Sequence, residues 1–301
     1  MKNVLIAGGS GLIGRRLSAM LMEKGYTISI LSRTRSSENN VKVYLWNTAS
    51  GFIEDGAIDN ADHIINLAGT GIAEKRWTKK RKAEIISSRV NATKTIFDAV
   101  KKNTHHIKNI ICASAIGYYQ KNNRELMAEE ANPGNDFLAN TVQQWEAANH
   151  EFEKIQIRTV IFRFGIVLSL KGGALLEMYK PMKYGIAGYF GNGKQYYSWI
   201  HIDDVCRMII HAIENEMMHG IFNAVAPYPE TNKNFMKTLS QVTTGMHLLM
   251  PVPPFVIKAV LGEKASIVLD GQKISSDKIL NSGFAFHFPD LTNALKNIFH
   301  S

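Results

Sequence analysis

Two cysteines, Cys112 and Cys206, are too few for a disulfide framework. Cys112 stands in an apolar run and Cys206 in a helical pattern, so both are expected as buried free thiols of a reducing, cytoplasmic protein. No apolar run approaches the ~18 residues that a membrane-crossing helix needs. The apolar N-terminal stretch is broken by glycines and lacks a small-residue cleavage site, which argues against a signal peptide. Arg15-Arg16 is followed too soon by Glu23 and Lys24 for a twin-arginine address. Repeats, low-complexity tracts and Pro/Ser linkers are missing too, so the parts of the chain should share one body. His105-His106 cannot face one ion from a regular helix or strand, and no metal site is expected. The formal charge of +9, densest from Lys75 to Lys82 around Trp77, comes without a nucleic-acid fold signature. We therefore expect neither a nucleic-acid nor a membrane partner, and assign part of the excess to an anionic cofactor.

What is present begins at Asn3 with NVLIAGGSGLIGRRL. An apolar strand runs into Gly8, Gly11 and Gly14, and the chain leaves as a helix through Leu17 and Leu21. Gly8 permits a sharp turn, Gly11 leaves the main chain open to a pyrophosphate, and Gly14 lets helix and strand lie close. The first N–H groups of the helix, from Leu12 and Ile13 onward, would then face phosphate oxygens. A second strand, Tyr26 to Leu31, ends in Ser32-Arg33-Thr34-Arg35, with no acidic residue before Glu38. An NAD site places a carboxylate at this strand end, against the ribose 2′-hydroxyl; a hydroxyl and a guanidinium suit a 2′-phosphate. The cofactor expected is NADP, with Ser32 and Arg33 holding that phosphate.

Further strands are read at Val41 to Trp46, Asp62 to Leu67, Ile107 to Ala113 and Gln156 to Phe164, with helices at Thr78 to Val100 and Asp136 to Ala148. The alternation predicts an α/β fold, a Rossmann-like doubly wound parallel sheet, with ligands at its carboxyl edge. Leu67, Ala68 and Gly69 leave room for a cofactor at one strand end. After Val167 glycines punctuate a loop-rich stretch, and SWIHIDDV, Ser198 to Val205, opens a helix with Asp203 as its expected cap. The tail from Pro227, with a short helix after Pro251, Pro253 and Pro254, is expected to close over the sheet edge as a smaller lobe. The division expected is a NADP-binding Rossmann domain over 1–168, completed by about 196–225, and a C-terminal substrate lobe of 169–195 and 226–301.

GGSGLIG, INLAG, the strand ends at Ser114 and Arg163, and SWIHIDDV together resemble the short-chain dehydrogenase/reductase superfamily in its extended, epimerase-like form. Arg76-Trp77, Ser88-Arg89-Val90, WEAA at Trp145 to Ala148, GGAL at Gly172 to Leu175, and GEKA, LDGQ and GF in the tail resemble a narrower branch. That branch belongs to the NAD(P)-dependent epimerase/dehydratase-like family, is labelled nucleotide-sugar epimerase, and has its own C-terminal domain. The resemblance implies NADP contacts from Gly8 to Ile13, from Ser32, Arg33, Leu67 and Ala68, and from the helix bearing Glu84 and Arg89. It also brings Gly165 to Val167 to the nicotinamide.

Extended reductases carry Tyr-x-x-x-Lys on the helix after the fifth strand, where lysine lowers the tyrosine pKa for proton transfer. Aligned on Glu146, those two positions are Leu138 and Val142, and neither can move a proton. The usual asparagine of the preceding helix is Arg89. Ser114, Tyr118, Tyr119 and Arg89 are the candidate catalytic residues left. The reading is a hydride-transferring epimerase or oxidoreductase on a small polar or sugar-like substrate. A non-catalytic NADP(H)-sensing or interaction protein stays open beside it, as does a homodimer.

Overall fold

In strand β1 (Asn3–Ala7) Val4 and Ile6 point into one apolar cluster and Leu5 and Ala7 into another, as the two-residue period of a strand requires. A strand apolar on both faces belongs inside a sheet covered on both sides. The computed structural model, which describes residues 2–35, 41–103, 105–121, 125–243 and 245–300, shows that sheet. Its strands are β1, β2 (Thr27–Ser32), β3 (Lys42–Asn47), β4 (Phe52–Ile53), β5 (His63–Asn66), β6 (Asn109–Ala115), β7 (Arg158–Phe164) and β8 (Gly220–Ala224). Their order is β8-β7-β6-β5-β1-β2-β3-β4, parallel except for β4, which runs antiparallel to β3. The expected strands are all found, displaced by one or two residues at their ends. Glu38, which bears on the second strand end, lies outside the described residues.

The chain builds outward from β1 in one direction through β4, then returns to β5 and builds the other way. This reversal opens a crevice between the carboxyl ends of β1 and β5, the place where a doubly wound sheet takes its ligands. Helix α1 (Leu12–Glu23) covers one face with Leu17 and Leu21, beside α4 (Ile202–Glu214) with Val205, Met208 and Ile209. Helix α2 (Lys79–Lys102) covers the other with Ala92, Ile96 and Val100. Helix α3 (Phe137–Asn149) lies against α2 and β6. Thr78 and Asp136 cap α2 and α3, their side chains accepting from Arg81 N–H at 3.1 Å and Ala139 N–H at 2.9 Å.

Asp203 is not the cap of α4. His201 takes that place, its Nδ1 accepting from the Asp203 N–H at 3.0 Å, and Asp203 sits in the first turn. There its carboxylate receives a two-pronged bond from Arg16, at 2.6 and 2.9 Å, which ties α4 to α1. Imidazole can cap because His201 is buried, and burial pushes its pKa down, keeping a nitrogen lone pair available. The stretch after Val167 is also more ordered than its glycines suggest. A short helix, Ala174–Tyr179, and a strand, Ile186–Phe190, run through it, the strand pairing in parallel with Leu248–Val252. Gly185 and Gly191 serve only as the left-handed turns at the two ends of that strand, at φ of +78° and +59°. Leu168 and Trp199 pack with Leu175, Phe235, Leu239, Leu291 and Leu295 in a further apolar cluster, which joins the C-terminal segments to the end of the sheet.

The glycine turn is packed for a reason that can be tested. A Cβ at Gly14 would lie 2.6 Å from the Gly9 Cα and collide with the Gly8 carbonyl, so α1 could not lie where it does. Gly14→Ala should therefore lower stability by about 1–3 kcal/mol, despite alanine's better helix propensity. Urea unfolding of the two proteins measures it, and an unchanged midpoint would contradict the packing account.

Candidate active site

At the end of β1 each glycine meets a different constraint. Gly8 has φ of +82°, and a Cβ there would lie 2.8 Å from the Leu67 carbonyl carbon at the end of β5. Gly9 is closed off by Ile30. Gly11, exposed at the N-cap of α1, would meet only the Gly8 carbonyl oxygen at 3.2 Å. Of the glycines in this turn, Gly11 is the one whose missing side chain leaves open space over the crevice. Helix α1 has no side-chain cap and no acidic residue in its first turn. Its N-terminal N–H groups and dipole are therefore available to an anion.

Across the crevice Asn66 ends β5 with its Oδ1 accepting from Ala68 N–H at 3.2 Å and its Nδ2 donating to Thr93 at 3.0 Å. That fixes the turn at Leu67, Ala68 and Gly69. At the end of β2, Ser32 is half-buried and Arg33 is exposed, with no ion pair to Arg33 among the described residues. The neighbouring Arg35 instead donates to Glu54 at 2.8 Å. Glu84 lies half-exposed on the first turns of α2 and accepts from Arg81 at 2.9 Å.

From the crevice a cavity of about 360 Å³ extends over the ends of β6 and β7 to the C-terminal lobe. Leu12 and Gly173 line it at one end, Gly165 to Val167 along one side, and Lys121, Asp270 and Gln272 at the lobe end. One face of α3, with Leu138, Thr141, Val142 and Trp145, forms the opposite wall, at the three- and four-residue spacing of a helix. Leu138 and Val142 face the end of β6: a methyl group at Gly117 would lie 3.5 and 3.9 Å from their side chains. Lys121 is held by Asp136 at 2.7 Å and Asp270 at 3.4 Å, joining the β6 loop to the lobe.

Of the sequence-predicted catalytic set, only Arg89 lines this cavity. Its Nη1 and Nη2 donate to the Ile85 and Thr70 carbonyls at 2.9 and 3.0 Å, and its guanidinium lies 5.1 Å from the Trp145 ring centroid. Burial, helped by the neighbouring Arg81 charge, pulls its pKa down to about 10, which still leaves it charged at neutral pH. Ser114 points away. Its Oγ is buried and donates to Glu146 Oε1 at 2.5 Å. Tyr119 is also turned inward to the core: its hydroxyl donates to Asn223 at 2.6 Å and accepts from Arg163 at 2.8 Å. Burial pushes that phenol up to about 12, against the pull of Arg163 and Asn223. Tyr118 lies with its ring 3.5 Å from the Arg163 guanidinium carbon, as a packing partner. The Ser114 and Tyr119 hydroxyls thus belong to a buried network rather than to the cavity.

That network centres on Arg163 and Glu146, whose two parallel bonds are both 2.8 Å. Burial acts to lower the Arg163 pKa, but the bonds and charge of Glu146 outweigh it and hold it above the usual arginine value. Trp145, Lys121, Asp270 and Gln272 were not among the candidates. WEAA named the Trp145 position, and the helix face it shares with Leu138 and Val142 was the signal for it. Asp270 and Gln272 reach the cavity only through the fold of the lobe.

A family model for the NAD dependent epimerase/dehydratase family matches residues 4–224, and a domain of unknown function, DUF1731, matches 252–298. The chain belongs to the NAD-dependent epimerase/dehydratase family. Within that family it is 38% identical to the epimerase family protein SSP1921 of Staphylococcus saprophyticus, over all of both chains. It is 37% identical to the epimerase family protein YfhF of Bacillus subtilis, over 98% of this chain and 97% of that one. The crystal structure of the human epimerase family protein SDR39U1 (isoform 2) with NADPH superposes with a TM-score of 0.88 at 32% identity, covering 98% of each chain. The epimerase-family model spans the sheet through β8, and the second matched domain covers the short helices after Val252 and most of the last one, Leu291–His300.

Glu146→Gln would leave the Arg163 charge buried without a counter-ion. Breaking such a pair costs about 3–5 kcal/mol, far more than a surface ion pair. Chemical unfolding should show a loss of that order; a change below about 0.5 kcal/mol would mean the pair is not what holds these elements together.

Proposed function

We propose that this protein binds NADP(H) in the crevice between β1 and β5 and works as a hydride-transferring epimerase or oxidoreductase on a small polar or sugar-like substrate. The observation that carries the reading is the glycine turn at the sheet's point of reversal, with a side-chain-free Gly11 and an uncapped helix above open space. The residues present fit a dinucleotide. Gly8, Gly11, Leu12, Ile13 and Gly14 form the pyrophosphate cradle, and Leu67, Ala68 and Gly69 the opposite rim. Ser32 and Arg33 take the 2′-phosphate, and Val167 faces the nicotinamide. Glu84 contributes through Arg81, by fixing the base of the loop that follows β5: Arg81 donates to the Gly71 carbonyl at 2.6 Å. A nicotinamide bound along Gly165 to Val167 would supply or take the hydride.

The choice of NADP over NAD rests on charge at the end of β2. Arg35 is taken up by Glu54, whereas Arg33 has no carboxylate among the described residues to compete with a phosphate. With apolar Leu138 and Val142 on the wall, proton management falls to the cavity's own polar groups, of which Lys121 and Arg89 are the cationic ones. Cys112 and Cys206, both buried and free, fit a reducing cytoplasm. Among the described residues no helix is long and apolar enough to cross a membrane.

Calorimetric titration tests the cofactor reading. NADPH should bind more tightly than NADH, and Arg33→Ala should cost about ten- to a hundredfold in NADPH affinity, the worth of one charge-assisted pair. Equal affinities for the two in the wild type would contradict it. Gly11→Val should keep the circular dichroism of the wild type and lose NADPH binding, because its side chain would fill the crevice and not the core. Retained binding would make the turn purely structural.

A further inference from the structure

With Leu12, Arg89 and Gly165 to Val167 given to the dinucleotide, the cavity that remains is bounded by apolar groups. They are Ile116 at the end of β6, Leu138 and Val142 on α3, and Ile267 in the short helix Ser266–Leu269. Most polar side chains around this space are bonded within the protein. Thr141 Oγ1 donates to the Phe137 carbonyl at 2.7 Å, and the Tyr197 hydroxyl to the Val268 carbonyl at 2.9 Å. Ser198 Oγ donates to the Gln272 carbonyl at 2.8 Å and accepts from the Ile274 N–H at 3.0 Å. The Gln272 side-chain amide donates to the Tyr119 carbonyl at 3.3 Å, and Ser266 Oγ to the Glu263 carbonyl at 3.1 Å. Lys121, the cation at the lobe end, is held between Asp136 and Asp270, so this cluster carries no positive excess. Two neutral donors lack a hydrogen-bond partner among the described residues: the Tyr196 phenol and the buried Trp145 indole N–H.

The segment that bounds the lobe end is tied to its neighbours on two sides. Lys264 donates to the Ala73 carbonyl in the loop after β5 at 2.8 Å, and Lys82 pairs with Glu263. On the other side the Val268 carbonyl also accepts from the Gln195 side chain, at 3.1 Å. The cations beside this end are thus engaged with the protein. The whole cavity is about 360 Å³, near the lower end of the ~300–1,000 Å³ of ligand pockets, and a nicotinamide takes part of it. What is left is small and apolar-walled, with Lys121 already paired. The charge of a nucleoside diphosphate would lose its water here without gaining a counter-ion.

We infer that the substrate is a small uncharged alcohol or carbonyl compound with an apolar body, and not a sugar carried on a nucleoside diphosphate. The inference rests on the reading of this cavity as the substrate end of a NADP(H) site, and it narrows the substrate given there. Such a molecule is polar at the carbon that exchanges the hydride and at one further oxygen that the Tyr196 phenol can meet, and apolar between them. Its body gains by leaving water for walls of leucine, valine and isoleucine, whereas a ring of hydroxyls would leave water for walls that offer no partners. Leu138 and Val142, which move no proton, then serve as the surface the substrate packs on.

Calorimetric titration tests it by binding alone. Protein saturated with NADP+, and protein without it, would be titrated with acetophenone and cyclohexanone as apolar ketones, D-glucose as the free sugar and UDP-glucose as the nucleotide sugar. The better ketone should bind about tenfold or more tightly than D-glucose and than UDP-glucose, as apolar pocket contacts give. Leu138→Asn, which sets an amide on the half-buried part of the wall, should weaken that ketone about tenfold, and Leu138→Met, which keeps the wall apolar, should retain most of the affinity. Ile267→Asn, on the lobe side, makes the same test if Leu138→Asn loses the wild-type circular dichroism. The inference is overturned if the better ketone does not exceed both D-glucose and UDP-glucose by about tenfold, if a folded asparagine variant keeps the wild-type ketone affinity, or if neither ketone binds at millimolar concentration. NADP(H) binding together with a preference for UDP-glucose would overturn it and leave the cofactor reading standing. Failure of the wild type to bind NADP(H), with the ketone preference and its loss in the asparagine variant intact, would instead count against the cofactor reading alone.

Discussion

The Arg163–Glu146 pair joins the elements that frame the cavity. Arg163 comes from the end of β7 and Glu146 from α3, and they meet through two bonds of 2.8 Å with almost no exposure to water. Each further partner adds an element. Ser114 brings the end of β6, Tyr118 and Tyr119 the loop after it, and the Glu129 carbonyl, which accepts from Arg163 at 2.9 Å, the segment beyond. Through Tyr119 the network reaches Asn223 on β8, whose Nδ2 donates to the Ser275 carbonyl in the lobe. Because every member is satisfied, the network sets one relative position for three strands, a helix and the lobe. Apolar packing alone would leave that position less specified.

The consequence for chemistry is that the residues most easily taken for catalysts are spent on architecture. Ser114 and Tyr119 supply hydroxyls at the carboxyl end of a parallel strand, the edge at which a doubly wound sheet takes its ligands. Here the hydroxyls turn away from the cavity because a buried arginine and glutamate need their hydrogen bonds. The wall that results on α3 is apolar where a phenol and an ammonium would do acid–base work. The charged groups the cavity keeps are Arg89 and, at the far end, Lys121 with its partner Asp270. The crevice next to it is shaped by main chain and not by side chains, so that the two halves of the site answer to different constraints.

Much of this could be read in the sequence. Gly8, Gly11 and Gly14 between an apolar strand and a helix carry their geometry locally, and the turn is found as expected. The doubly wound parallel sheet follows from apolar runs spaced by helices, and the positions of Leu138 and Val142 follow from counting along one helix. Side-chain direction at strand ends could not be read, because it depends on partners 32 residues away for Ser114 and 104 for Tyr119. Asp203 reads as the cap of α4 but stands inside the first turn, where its carboxylate takes the bidentate bond from Arg16 and leaves the cap to His201. Asp270 and Gln272 fall in LDGQ, which marks the branch but not a place in the site; that they line the cavity follows only from how the tail folds.

The central claim is that the reversal point of the sheet, between β1 and β5, is where this protein meets NADPH. Hydrogen exchange measured by mass spectrometry, on the intact chain with and without NADPH, asks that question of every segment at once. The account predicts slowed exchange in the glycine turn and first turn of α1, around Leu67 to Thr70, and along Gly165 to Val167, with little change at Lys24, Tyr26 and Glu214 on the far side of the sheet. Protection confined to that far side, with the glycine turn unaffected, would contradict it.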